Sequence, residues 1–565
     1  MYFLFNPEKK MLSNQFVKKL ILTVLIYLLI NIPLIRTFAQ ENRVKDVKYY
    51  LSNLPFSAPD IKAPEFPDRQ FNIQNFGAIG DGITLNTNAF AKAINECSNS
   101  GGGTVIVPPG IWLTGPIKLE SNVNLHLEKG ALILLSKNHE DYPIILLEGS
   151  TRYSVASPVY GFNLKNIAIT GPGIIDGSGE TWRPVKKSKL TESEWNKLVS
   201  SGGVLSDEGQ VWWPSKSALD GAEYLKNLKS KKPTAEELLP ARDYLRPYMV
   251  LLVNCKNVLL DGTTFENSPK FVLYPNKCDN LIIRNVKVLN EYWAQNGDGI
   301  DISACKNVLL YNNLVNAGDD GICMKSSGKS KDGQANLENI IIRDCVVYHA
   351  HGGFVIGSNT DGGMNNIYVD NCNFIGTDIG LRFKSGRNNG GLVHNIFISN
   401  IYMKDIIHEA ILFTTFYADT PVGGVNLSAE ANNKTPIFKD FHISNIFCDG
   451  AEQAVKVAGL PEMPIQDIEL TNVTINSKKG FTSNEAENFK LNNVRIFPEK
   501  GVIYSLKNSS GFSLNNVECP KGTDVFMKLE GEKTKDIHIT NSNLSNAKEK
   551  FEFGNNVKPD VVLQN

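Results

Sequence analysis

One short motif recurs along most of this chain: a polar residue, then Asn or Asp, then alternating apolar residues, often closed by another Asn. It reads Lys256-Asn257-Val258-Leu259-Leu260, then Asp279-Asn280-Leu281-Ile282-Ile283. Later copies begin at Asn307, Asn339, Asn366, Asn395, Asp440, Asp467, Asn488 and Asp536. Most steps span 21 to 32 residues, and the 45-residue step from Asn395 to Asp440 predicts a loop or a weak copy within it. Alternation predicts strands with one buried face, and Asn tolerates the left-handed turns that must separate them. No helical period intervenes, which excludes a doubly wound α/β sheet or a TIM barrel. A fixed period of this size marks a solenoid. Propeller blades are longer, and leucine-rich repeats carry leucine more regularly. The predicted fold class is all-β, a right-handed parallel β-helix.

Such a stack must hide its last apolar layer. Between Asn86 and Ser100 the residues Ala89, Phe90, Ala93, Ile94 and Cys97 recur at helical spacing before Gly101-Gly102-Gly103, which predicts a short N-terminal capping helix. The repeat disappears over residues 182–247, where Thr191-x-x-Glu194 has the form of a capping box. Four of the six tryptophans (Trp182, Trp195, Trp212, Trp213) fall there. This segment is expected to be a helical excursion at one end of a cleft, its aromatics serving either specificity or the excursion's own core. The expected organisation is 1–39 leader, 40–70 linker or arm along the surface, 71–550 β-helix containing the excursion, and 551–565 C-terminal tail.

Lys18-Lys19 precede an apolar stretch from Leu20 to Leu34, and Thr37-Phe38-Ala39 then offers small residues for cleavage. A membrane span needs roughly 18 or more apolar residues, so this stretch predicts a cleaved secretory signal, starting at Met1 or Met11, and no stable membrane insertion. The protein is expected in the periplasm or secreted, where disulfides are permitted, yet the spacing of the nine cysteines argues against a disulfide framework. Cys255, Cys278 and Cys305 each precede a repeat Asn by two residues, and Cys345 and Cys372 each follow one by six. Equivalent positions in successive coils predict a buried column of free thiols. A net charge of −1 excludes a global attraction to nucleic acid or an anionic membrane.

The strings Asn296-Gly297-Asp298 and Gly318-Asp319-Asp320 lie one repeat apart. Residues on neighbouring coils sit about 4.8 Å apart, so Asp298, Asp319 and Asp320 are predicted to crowd onto one patch of wall. Crowded like charges raise at least one pKa, and carboxyl groups with split pKa values suit glycosidic bond hydrolysis. Asp301 is expected to serve a turn or ladder. Arg382 and Lys384, two apart on a strand, point the same way and could grip a carboxylate.

These strings resemble the polygalacturonase family of pectin hydrolases, glycoside hydrolase family 28, over roughly residues 71–545. The likeness begins with Asn75-Phe76-Gly77-Ala78-Ile79-Gly80-Asp81-Gly82 and Gly101-Gly102-Gly103-Thr104-Val105. The family's Asn-Thr-Asp appears as Asn296-Gly297-Asp298, its Gly-Asp-Asp as Gly318-Asp319-Asp320, its Gly-His-Gly as Ala350-His351-Gly352, and its Arg-Ile-Lys as Arg382-Phe383-Lys384. Gly297, Ala350 and Phe383 depart from the pattern without removing a titratable group. They resemble the bacterial exo-acting branch, which also carries an insertion like residues 182–247.

The resemblance implies hydrolysis of α-linked galacturonic acid with inversion, Asp319 being the general acid and Asp298 and Asp320 holding the attacking water. It further implies substrate contacts from Asn296, His351, Arg382, Lys384 and Tyr417, with acid and base roughly 6.5–9.5 Å apart. No metal or cofactor is implied, the partner is a pectic polysaccharide or oligogalacturonide, and the protein is expected to be a monomer. Rhamnogalacturonan or xylogalacturonan hydrolysis, β-elimination by a lyase, and a non-catalytic glycan-binding β-helix are the alternatives.

Overall fold

A computed structural model describes residues 46–147, 151–328, 334–417 and 428–564. The expected leader, residues 1–39, lies outside the described residues. Among those described, no helix is long and apolar enough to cross a membrane. The described part of the first 52 residues contains a single helical turn, Val47–Tyr50, capped by Asp46.

From residue 70 onward the chain builds a right-handed parallel β-helix whose strands stack in register into two long sheets. Within one sheet, Val258, Leu281, Val308, Ile340, Ile367 and Ile396 follow one another coil by coil. All six are buried, and they belong to one continuous apolar core. The alternation in sequence therefore becomes an inward column on one parity, while the other parity lies outside that core, with Leu259, Ile282, Leu309 and Ile341 on it buried as well.

The repeat Asn and Asp residues mark the turns. Asn257, Asn280, Asn307, Asn339, Asn366, Asn395, Asp440, Asp467, Asn488 and Asp536 all have φ between 53° and 61°, the left-handed region that Asn and Asp enter most readily among side-chain-bearing residues. The Asn side chains also bond along the stack: Asn280 Nδ2 donates to Asn257 Oδ1 at 2.8 Å, and Asn366 Nδ2 to Asn339 Oδ1 at 3.0 Å. One coil escapes the sequence pattern. Ser510–Asn515 pairs with Ala486–Pro498, and Gly511 with φ of 69° stands where Asn488 stands one coil earlier.

The 45-residue step holds a loop and not an extra coil, because Ile396 pairs directly with Phe441. The expected tail beyond residue 550 is a correction. Glu549–Phe553 pairs with Val525–Glu530, and Val562–Gln564 with Lys535–Thr540, so the stack continues almost to the end. The physical reason is that Phe551, Phe553, Val561 and Val562 still pack on the core.

At the other end, helix Thr87–Asn99 covers the first coil with Ala89, Phe90, Ala93, Ile94 and Cys97 buried. Residues 53–69 run along the outer wall, where Lys62 exchanges two hydrogen bonds with Asn280. All nine cysteines are free and buried, and the Cys278 amide donates to Cys305 Sγ at 3.3 Å.

The excursion is mixed where helix was expected. Helices Glu192–Ser200 and Lys216–Asn227 accompany a three-stranded antiparallel sheet of 185–186, 204–206 and 211–213. The Thr191–Glu194 capping box is formed. Trp195 and Trp212 are buried together with Val185, with Trp293 of the neighbouring coil against them, while Trp182 stacks on His139 with ring centroids 3.5 Å apart. These three tryptophans are core, which answers the choice left open by sequence.

Candidate active site

The register that stacks the core also gathers the acids. Ile300 pairs with Ile322, and Asp320 with Gly352, so Asp298 and Asp320 occupy equivalent places on consecutive coils. One oxygen from each of Asp298, Asp319 and Asp320 lies within 4.8 Å of the others. Tight packing makes this approach possible. A Cβ on Gly297 would come within 2.8 Å of Ala294 Cβ, and one on Gly318 within 2.4 Å of the Ala294 carbonyl oxygen. Gly297, a departure from the family pattern, is thus required by its neighbours here.

The three carboxyl groups sit in different surroundings. Asp320 is buried, and each of its oxygens meets a cation: Lys384 Nζ at 2.7 Å and Arg382 Nη1 at 3.1 Å. Burial pushes its pKa up, but Lys384, Arg382 and Lys325 outweigh burial and hold it well below the usual carboxylate range. Asp298 is also buried. Its Oδ2 is 3.5 Å from Lys325 Nζ, and its buried Oδ1 has no hydrogen-bond partner. Burial first, and Asp301 second, hold its proton well above the ordinary value. Asp319 is the most accessible, its side chain 19% exposed against 5% for Asp298 and 3% for Asp320. The split expected from crowding is present, but its cause is different: burial raises both Asp298 and Asp320, and the cations on Asp320 more than reverse it there.

Asp301 is a correction. It lies within strand Ile300–Ser303, fully buried, with Lys325 Nζ 2.7 Å from its Oδ1. Burial raises its pKa to about 6 against the pull of Lys325. It forms an ion pair behind Asp298 because its outward-pointing position is roofed by the site itself. Lys325 was missed because no motif marks it. The one sequence signal is its place five residues after Asp320, on the strand that the Gly-Asp-Asp string opens.

His351 Nδ1 lies 3.1 Å from Asp319 Oδ1, and its Nε2 lies 3.3 Å from Lys189 Nζ and 3.7 Å from Asp378 Oδ2. Lys189 reaches it from the excursion and was not anticipated. His349 does not share a strand face with His351: it has φ of 49° in the turn between strands 346–348 and 352–356. Asn296, also left-handed, accepts a hydrogen bond at Oδ1 from Arg246 Nη2 at 2.9 Å. Arg382 and Lys384 project together, with the Tyr417 ring 5.8 Å and 5.0 Å from their charges. Phe383 between them points inward, 4.5 Å from Phe413 between ring centroids, so this departure from the family pattern is a matter of core packing.

Three close carboxylates also meet the bare geometry of a cation site. Here four acids (Asp298, Asp301, Asp319, Asp320) face three ammonium or guanidinium groups (Lys325, Lys384, Arg382) that already supply most of the positive charge.

Comparison with known proteins follows the same lines. Residues 185–497 match the model for glycosyl hydrolases family 28, and residues 70–128 match the model described as rhamnogalacturonase A/epimerase, pectate lyase-like. An exo-poly-alpha-D-galacturonosidase of Dickeya chrysanthemi is 29% identical over 463 residues, covering 77% of this chain and 73% of the relative. The crystal structure of a hyperthermoactive exopolygalacturonase from Thermotoga maritima superposes with a TM-score of 0.60 at 29% identity, covering 76% of this chain and 93% of that one. A family 28 exopolygalacturonase from Yersinia enterocolitica shares the fold, with a TM-score of 0.55 at 22% identity over 87% of this chain and 79% of that one.

Proposed function

Because the chain belongs to glycosyl hydrolases family 28, we propose that it hydrolyses α-linked galacturonic acid in pectin, from a chain end and with inversion. The observation that carries this reading is the division of labour among the three acids. Asp319, accessible and hydrogen-bonded to His351, protonates the leaving oxygen. Asp298 and Asp320 hold the attacking water between the unpartnered Oδ1 of one and the ionised carboxylate of the other, and Asp298 must first lose the proton that burial favours.

Stereochemistry is the sharpest part of the proposal. The nearest oxygens approach within 4.8 Å, closer than the roughly 6.5–9.5 Å between carboxyl groups of an inverting pair. Retention, however, needs a free carboxylate oxygen to bond the anomeric carbon. Asp320 has both oxygens engaged by cations, and Asp298 is buried and favours its proton, which supports water as the nucleophile. Proton NMR of the first-formed anomer decides: β-galacturonate supports inversion, and α-galacturonate overturns it.

Action from a chain end is supported by the excursion, which brings Lys189 against His351 and so walls the acid patch on one side. It also agrees with the exo-acting relatives named above. A time course on polygalacturonate, following reducing ends and ultraviolet absorbance together, tests this. Monogalacturonate from the earliest points is expected. A spread of oligomers would make the enzyme endo-acting, and an absorbing unsaturated product would make it a lyase. Release only from rhamnogalacturonan or xylogalacturonan would move the substrate while leaving the site intact. Export, after cleavage near Ala39, belongs to the same proposal and is checked by the N-terminal sequence of the mature protein.

A further inference from the structure

The cations nearest the acids already have partners within the protein. Arg382 and Lys384 bind Asp320, Lys325 binds Asp301, and Arg246 donates to Gln295 O and Asn296 Oδ1. An acidic sugar needs positive charge that the protein has not neutralised. Among the described residues, Lys270 is an ammonium at the site with no carboxylate within ion-pair distance.

Its setting is specific. The pairing of Leu273 with Ile300, carried back along the chain, puts Phe271 one coil below Asp298 and Lys270 below Gly297, and the Val272 amide donates to the Asp298 carbonyl at 2.9 Å. Lys270 Nζ lies 5.0 Å from the Tyr248 ring centroid and 5.5 Å from that of Phe271. Tyr248 in turn packs 4.4 Å from Tyr274 and 5.1 Å from Phe271. All four residues are only partly buried. An aromatic group with a polar edge offers a face to the apolar side of a pyranose, and an ammonium beside it offers a charge-assisted hydrogen bond to a carboxylate. Burial and Arg246 lower the Lys270 pKa, while Asp298 and Asp301 raise it.

We propose that Lys270, with Tyr248, Phe271 and Tyr274, forms a uronate subsite one coil before Asp298, where Lys270 binds the sugar carboxylate and the rings take its apolar face. The proposal rests on the galacturonide reading above. Arg382 and Lys384, for their part, also keep Asp320 ionised.

The test is calorimetric titration of trigalacturonate into the full chain carrying Asp319→Asn, with and without Lys270→Met. A lost charge-assisted hydrogen bond should weaken binding about tenfold or more. The fully methyl-esterified trimer, which lacks the carboxylate charge, should bind the two proteins alike. Equal affinities for the acid trimer overturn the proposal, as does the same loss for acid and ester, which would mean damage to the pocket and not a lost ion pair. Tyr248→Ala provides a second readout: it should weaken acid and ester together, and an unchanged affinity for both would remove the rings from the subsite. Wild-type turnover of polygalacturonate is measured alongside. Turnover with unaffected binding in Lys270→Met defeats only the subsite. Normal binding with the predicted Lys270 effect but no wild-type turnover defeats only the hydrolase reading.

Discussion

Coil-to-coil stacking builds two columns in this molecule that behave in opposite ways. On the turns, Asn307, Asn339 and Asn366 stand one step apart and each amide bonds the next. On the site face, Asp298 and Asp320 also stand one step apart. An amide side chain both donates and accepts, so an Asn column satisfies itself at every step. An ionised carboxylate only accepts, so stacking it demands either a cation or a proton at each level. Asp320 has the cations and Asp298 favours the proton, and that asymmetry makes the second column chemically active while the first is structural.

The largest way to break the active column is to remove its proton donor. Asp319→Asn keeps the volume and the backbone contacts but cannot deliver a proton, and kcat should fall by about 10³-fold. The circular dichroism spectrum and the melting temperature should stay near wild type. Activity within tenfold of wild type would remove Asp319 from the acid role.

Lys384→Met attacks the charge balance instead. It leaves Asp320 buried with one cation fewer, and breaking a buried pair costs about 3–5 kcal/mol. The pH dependence has a definite sign. The folded pKa of Asp320 lies below its unfolded value, so the pair stabilises the protein above the unfolded carboxyl pKa and loses that contribution as pH falls through the folded one. The variant should therefore unfold at a higher pH than wild type during acid titration. Coincident acid-unfolding curves would show that Lys384 serves the substrate and not Asp320.

Asp301→Asn is gentler and tests the protonated member. Asp301 is the second cause, after burial, of the raised Asp298 pKa. Neutralising it should let Asp298 ionise at lower pH, moving the acid limb of kcat/KM downward. An acid limb that stays in place would show that Asp298 does not limit the reaction on that side.

The two columns also differ in how far they could be read from sequence. The turns were legible because a left-handed φ favours Asn, Asp or Gly, so the backbone prints its need at a regular interval, although Lys277, Ala304, His349 and Glu485 meet the same φ without those letters. Gly511 escaped, since it meets the same φ without the letter that marks the repeat, and so did Asn122 and Asn166, which extend the column before Asn257. The acid motif was legible for the same reason, being set by the register. Lys189, Arg246, Lys270 and Lys325 were not, because no motif marks them and only the folded chain brings them to the site. Nothing about a single Lys in sequence says which carboxylate it will face. Asp301 was misread because its neighbours, not its own position, bury it.

The smallest effect should come from the Asn column, and it separates two reasons for its existence. Asn339 has φ of 59°, donates to Asn307 and accepts from Asn366. Asn339→Ala loses both bonds and forces a Cβ without local compensation into the left-handed region, at about 1–2 kcal/mol for the backbone alone. Asn339→Gly loses the same bonds but not the backbone allowance. If conformation dominates, Gly should restore about half of what Ala loses in urea unfolding, as the natural Gly511 suggests. If Ala and Gly lose equally, the amide bonds carry the column, and the coil at Gly511 should then be the first to exchange its backbone hydrogens.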